Sequence, residues 1–100
     1  MGPITVTTAL TCQTPTSLGT ANLTATSVDL SWTAGGTETQ WDIEYGAQGF
    51  TQGAGTTITG TSSKPYSLSG LTANTAYDFY VRADCGANGT SPWAGPFSFS

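Results

Sequence analysis

Apolar and polar residues alternate with a period of two along several short stretches of this chain. The clearest begins at Tyr77. Tyr77, Phe79, Val81 and Ala83 fall on one face, and Asp78, Tyr80, Arg82 and Asp84 on the other. In aromatic and β-branched company, that alternation predicts a strand with one buried face and one wet face. Val28, Leu30 and Trp32 alternate in the same way with Asp29, Ser31 and Thr33. Trp41, Ile43 and Tyr45 alternate with Gln40, Asp42 and Glu44, which predicts a strand over residues 39–46. Leu18 and Leu23 mark a strand over 17–25, Thr56-Thr57-Ile58-Thr59 a weak edge strand, and Pro65 opens a short strand over 65–68. The last strand begins at Phe97-Ser98-Phe99. Ala34-Gly35-Gly36-Thr37, Gly46-Ala47-Gln48-Gly49 and residues 86–91 supply the breaks. No run of residues repeats at helical spacing, so the expected fold class is all-β.

Ahead of Tyr77 lies Leu71-Thr72-Ala73-Asn74-Thr75, small polar residues suited to a tight reversal. A leucine, a loop and a tyrosine opening a strand form the pattern of a tyrosine corner. In that arrangement the phenol hydroxyl returns to upstream backbone and pins the crossover between two sheets. The plainer alternative makes Tyr77 one more core aromatic and leaves its spacing from Leu71 without a reason.

Charge removes several classes of function. The chain has 100 residues, enough for one domain with one core, and a net charge of −4. Lys64 and Arg82 are its only cations, and two isolated cations cannot neutralise a row of phosphates. Binding to nucleic acid or to an anionic membrane surface is therefore not expected. No apolar run is long enough to insert in a bilayer. The opening Met-Gly-Pro leads to the expectation of a fragment excised from a longer protein.

Candidate chemistry is thin. With no histidine, no serine or cysteine has the base a catalytic triad requires, and a zinc site lacks ligands. No catalytic residue, metal site or cofactor is expected. Asp42 and Glu44 stand about 7 Å apart by strand geometry, a spacing a glycosidase could use. A general acid, however, needs an apolar cleft that raises its pKa, and an outward strand face predicts solvated carboxylates instead. Asn22-Leu23-Thr24 and Asn88-Gly89-Thr90 match the glycosylation sequon, read here as chance matches in a Thr-rich chain. Cys12 and Cys85 are either two free thiols or one long-range disulfide. The weakly charged, Thr-rich composition favours a secreted protein and hence the disulfide.

The order and spacing of these landmarks resemble a fibronectin type III domain over residues 15–100. They are Pro15 with Leu18, Leu30-Ser31-Trp32, Trp41-x-Ile43-x-Tyr45, Leu71-x-x-x-Thr75-x-Tyr77 and Tyr77-x-Phe79-x-Val81-x-Ala83. The resemblance implies a seven-stranded, immunoglobulin-like β-sandwich. In finer detail the chain is similar to modules repeated in secreted and surface proteins of Bacteroidetes-type bacteria. A cysteine before the first strand, Gly49-Phe50, Tyr80-Val81-Arg82-Ala83-x-Cys85 and Ser91-Pro92-Trp93 carry that likeness. In this topology the first strand begins and the sixth ends at one pole, so the resemblance implies a Cys12–Cys85 bridge. It implies no integrin binding, since Arg-Gly-Asp is absent.

The expected role is that of a non-catalytic extracellular module, a spacer or stalk whose partners are neighbouring domains of the same polypeptide. The alternative is a carbohydrate- or protein-binding module. It would use the loops at 34–39 and 86–92, or a surface built from Phe50, Tyr80, Arg82 and Trp93. Arg82 is expected to pair with a strand carboxylate and lie against Trp93 or Tyr80, whereas Lys64 is expected to matter little. Residues 1–14 read as an extended arm. Gly2-Pro3-Ile4-Thr5-Val6-Thr7 matches Gly95-Pro96-Phe97-Ser98-Phe99-Ser100 in pattern, from position 2 to position 95, an offset of 93. Self-similarity at one module length is the signature of a tandem array, in which 2–7 would be the last strand of a preceding repeat.

Overall fold

The computed structural model describes residues 12–36, 38–86 and 89–100. The alternating stretch 1–11, with Ile4 and Val6, lies outside the described residues, as do Thr37 of the first turn and Asn88 of the second sequon. Among the described residues seven strands form: β1 (Thr16–Ala21), β2 (Val28–Thr33), β3 (Trp41–Ala47), β4 (Thr56–Thr61), β5 (Tyr66–Leu68), β6 (Tyr77–Ala83) and β7 (Ala94–Phe99). They make two antiparallel sheets, ordered β1-β2-β5 and β4-β3-β6-β7. This is an all-β sandwich, as the alternation predicts.

The inward residues of both sheets meet in one core. Val28, Leu30 and Trp32 of β2 face Trp41, Ile43, Phe79, Val81, Ala83 and Phe99, with Leu68 and Leu71 closing the core. Trp32 and Trp41 pack edge to face with ring centroids 5.6 Å apart, and Phe79 lies 5.7 Å from Phe97 and 6.1 Å from Phe99. Fully burying each large side chain stabilises the fold by about 1.5–3 kcal/mol relative to leaving it exposed.

Two boundaries differ most from expectation, the others by one or two residues. The first strand ends at Ala21 instead of 25, because Asn22 turns the chain with φ 52°. A tight turn comes next, in which the Thr24 N–H donates to the Ser27 carbonyl at 2.8 Å. Leu23, expected in the strand, is left 46% exposed. The last strand starts earlier than expected, at Ala94.

Among the described residues, three of the sheet edges are interrupted by bulges and the fourth is short. Opposite Trp32, β1 carries an extra residue at Ser17-Leu18, with Ser17 at φ 55°. Opposite Asp42, β4 bulges at Thr59-Gly60, and opposite Tyr80, β7 bulges at Gly95-Pro96. Gly95 sits at φ 120°, where a Cβ would lie 2.8 Å from the Phe79 carbonyl oxygen, so only glycine fits. The fourth edge, β5, is three residues long. Bulges, proline and short length all oppose unwanted edge pairing between sheets.

Candidate functional site

The residues singled out in the sequence fall at three places: the Cys12 pole, the Leu71–Tyr77 corner, and the outer face of the four-stranded sheet.

At the first pole Cys12 and Cys85 form a disulfide, with their Cα atoms 5.8 Å apart across 73 positions of chain. Closing a loop of this length stabilises the fold by about 4 kcal/mol in the chain-entropy account. Glu38 holds the same pole. One carboxylate oxygen accepts from the Gln13 N–H at 3.1 Å, the other from the Gly36 N–H at 2.8 Å. At the corner, the Tyr77 hydroxyl accepts the Thr72 N–H at 2.8 Å, and the Leu71 N–H donates to the Thr26 carbonyl at 2.9 Å. One phenol thus ties the reversal before β6 to the start of that strand.

The outer face departs most from expectation. Asp42 and Glu44, expected to be solvated, are only 2% and 1% exposed, and Asp78 is buried as well. Residues 48–55 fold back over the sheet and cover it. Phe50 lies on Gly46, where a Cβ would stand 3.0 Å from its ring, and beside Gly55, where a Cβ would stand 2.6 Å from it. Those two glycines let the loop settle flat. Beneath it the Glu44 carboxylate accepts from the Gln52 side-chain amide at 2.9 Å and from the N–H groups of Gly53 and Gly55, each at 2.8 Å. The Asp78 carboxylate accepts the Gly49 N–H at 3.0 Å and the Ser98 hydroxyl. Asp42 accepts the N–H of bulged Gly60 at 2.9 Å and, with its other oxygen, the Arg82 Nε–H at 2.9 Å. Each buried carboxylate therefore has the donors that burial demands.

Burial pushes the Glu44 carboxyl upward. The hydrogen bonds from Gln52, Gly55 and Gly53 and the positive Arg82 together outweigh it and hold the group below its ordinary value of 4.5. A general acid needs the opposite shift, so Glu44 is not poised to serve as one. On the other sheet, Asp29 is also held low, by hydrogen bonds from Asn22 and then Ser67.

The aromatic surface is half-buried instead of open. Phe50 meets Tyr80 edge-on at 5.6 Å, and the Arg82 guanidinium lies over Trp93 at 4.4 Å. Tyr80 and Arg82 share the outer face of β6, so the four side chains run as one row along it. Lys64 does have a partner: its ammonium sits 5.3 Å from the centre of the Trp41 ring. The sequence marked Ser91 only as part of a family likeness, and its role was missed: its hydroxyl accepts the Ala83 N–H at 2.8 Å and donates to the Pro92 carbonyl at 2.9 Å. A serine in a Ser-Pro-Trp stretch just before an edge strand was the available signal.

A family model described as "Fibronectin type III domain" matches residues 13–100. The chain belongs to the fibronectin type III family. Solved fibronectin type III structures share its sandwich. The FN1–FN3 domains of chicken CNTN1 are similar with a TM-score of 0.74 and 20% identity, over 89% of this chain and 30% of that one. An fn3 domain of human contactin 1 gives 0.73 and 21%, over 98% and 86% of the two chains. A structure described as that of a myokine gives 0.73 and 22%, over 89% and 96%. At these identities the likeness is one of fold. No curated protein sequence matches the chain significantly. Fibronectin type III domains are modules of multidomain chains, and the chicken structure holds several of them.

Proposed function

We propose that this fibronectin type III domain is a non-catalytic spacer or domain-presenting module of a secreted or cell-surface protein. The module would span residues 15–100, with 1–14 as an arm that includes the end of a preceding repeat. The observation that carries this reading is what the polar groups of the outer face do. Asp42, Glu44, Asp78 and Arg82, which could have formed a site, are occupied in holding the 48–55 loop and both sheet edges against the sandwich. The Cys12–Cys85 bridge supports an oxidising, extracellular location. The cysteine-bearing sequence pattern supports a bacterial surface protein of the Bacteroidetes type.

A second reading has one specific observation in its favour. The row Phe50, Tyr80, Arg82, Trp93 presents ring edges and a guanidinium along one face, an arrangement that could take a sugar or a protein ligand. A glycan array with the wild-type chain and the Trp93→Ala variant separates the two. The spacer reading expects flat signals from both. A glycan bound by the wild type and lost in Trp93→Ala would replace it with the binding-module reading.

A further inference from the structure

At the pole opposite the disulfide, where β1 and β7 end and β6 begins, lies a cavity of about 310 Å³. Leu71, Tyr77 and Phe99 form its apolar floor, and Leu23, a large apolar side chain the fold leaves exposed, stands at its rim. Thr72 and Ser100 are also at its border, and among the described residues no charged one lines it. The end of β7 thus delivers the chain directly to an uncharged, partly apolar hollow.

The sequence carries a template for the segment after such a strand. Residues 2–7 repeat the pattern of 95–100, so Thr7 corresponds to Ser100, and the segment after Thr7 reads Thr8-Ala9-Leu10-Thr11 before Cys12. That segment is uncharged and holds one large apolar side chain, three positions past the strand end. Three extended residues span about 10 Å, ample for a side chain to turn back into a cavity that the strand end itself borders.

We propose that this cavity seats the linker between successive copies of the module and takes the side chain at the Leu10 position. The inference rests on the tandem-array part of the proposed function. It adds to it a latch: each linker fixes the orientation of the module before it. The Thr72 hydroxyl at the cavity border supplies a hydrogen-bonding partner for linker backbone, and burial of the leucine replaces solvent around Leu23.

The test uses the full chain with a copy of residues 8–11 added after Ser100, compared with the unextended chain and with the same extension in which the copied leucine is serine. The expected result is a set of NMR shift changes confined to Leu23, Leu71, Tyr77 and Phe99. A rise in Tm of roughly 4 °C should accompany it, and both should be absent from the serine version. Unchanged shifts at those four residues, or equal effects from leucine and serine, would overturn the proposal. So would concentration-dependent shifts in the unextended chain, which would give the cavity to a second copy. A two-module protein, residues 1–100 followed by 8–100, keeps the two ideas apart by small-angle scattering. If it is extended and stiff while leucine-to-serine changes nothing, the latch is wrong and the spacer reading stands. If the leucine docks while the pair of modules stays flexible, the cavity seats the linker without fixing orientation, and both the latch and the stiff spacer fail.

Discussion

β3 and the start of β6 bury side chains on both of their faces, and the two faces do it by different means. Inward, Ile43, Phe79 and Val81 meet the apolar side chains of the opposite sheet. Outward, Asp42, Glu44 and Asp78 are also removed from water, yet their cover is a glycine-bearing loop and bulged β4, which present N–H groups, and β7, which presents the Ser98 hydroxyl. The inner face is stabilised by area taken from water and tolerates any well-shaped apolar residue. The outer face is stabilised only where each carboxylate finds its donors, so it is specific and unforgiving of a missing partner. One sheet thus carries a non-directional core on one side and a directional one on the other.

The largest expected effect belongs to the inner face. Phe79→Ala should cost about 3–5 kcal/mol in urea unfolding, since its ring is fully buried against Phe97 and Phe99. A loss under about 1 kcal/mol would mean that the inner face is loosely packed and the contrast with the outer face is misdrawn.

The outer face should respond unequally to its two partners. Arg82→Ala leaves Asp42 buried with one donor, Gly60, and should cost about 3 kcal/mol. Asp42→Asn leaves an Arg82 side chain that is already 29% exposed and still stacked on Trp93, and should cost about 1 kcal/mol. Equally small losses in the two variants, each under about 1 kcal/mol, would place the pair in solvent. They would reduce it to an ordinary surface salt bridge.

A smaller effect appears on acidification. The Glu44 carboxyl is held below its ordinary value, so the unfolded chain takes up a proton before the folded one does. Its contribution is therefore complete above about pH 4.5 and is lost as pH falls through the lower, folded-state value. Asp29 acts in the same direction. Melting temperatures at pH 7, 4.5 and 3 should fall less steeply for Glu44→Gln than for the wild type, with a residual slope left by Asp29. Parallel slopes would remove Glu44 from the account.

The inner face was legible in the sequence because alternation is a local signal and its meaning is the same in every sheet. Trp32, Ile43, Phe79 and Val81 could be placed without knowing what covered them. The Tyr77 corner was legible in its local spacing from Leu71, whereas the disulfide became legible only through the strand order that the family resemblance implies, which brings Cys12 and Cys85 to one pole. The outer face was not. Alternation assigns Asp42 and Glu44 to a side, and nothing local says whether that side is wet. The deciding fact is where residues 48–55 lie, and that depends on Gly46 and Gly55 leaving room for Phe50 across a sheet. A loop rich in glycine reads as a break in isolation and becomes a lid only against its partner. Leu23 shows the same limit in reverse: an apolar residue placed in a strand by its type, and put outside by the turn at Asn22.

The 48–55 loop closes a second, polar core, and native-state amide hydrogen exchange reads that closure most directly. The N–H groups of Gly53, Gly55 and Gly60 are aimed into Glu44 and Asp42. They should exchange nearly as slowly as the paired amides of β3 and β6, through openings close to global unfolding. In Glu44→Gln the protection of Gly53 and Gly55 should fall while that of β3 and β6 stays. Fast exchange at all three glycines in the wild type, at the rate of an open surface loop, would contradict the account.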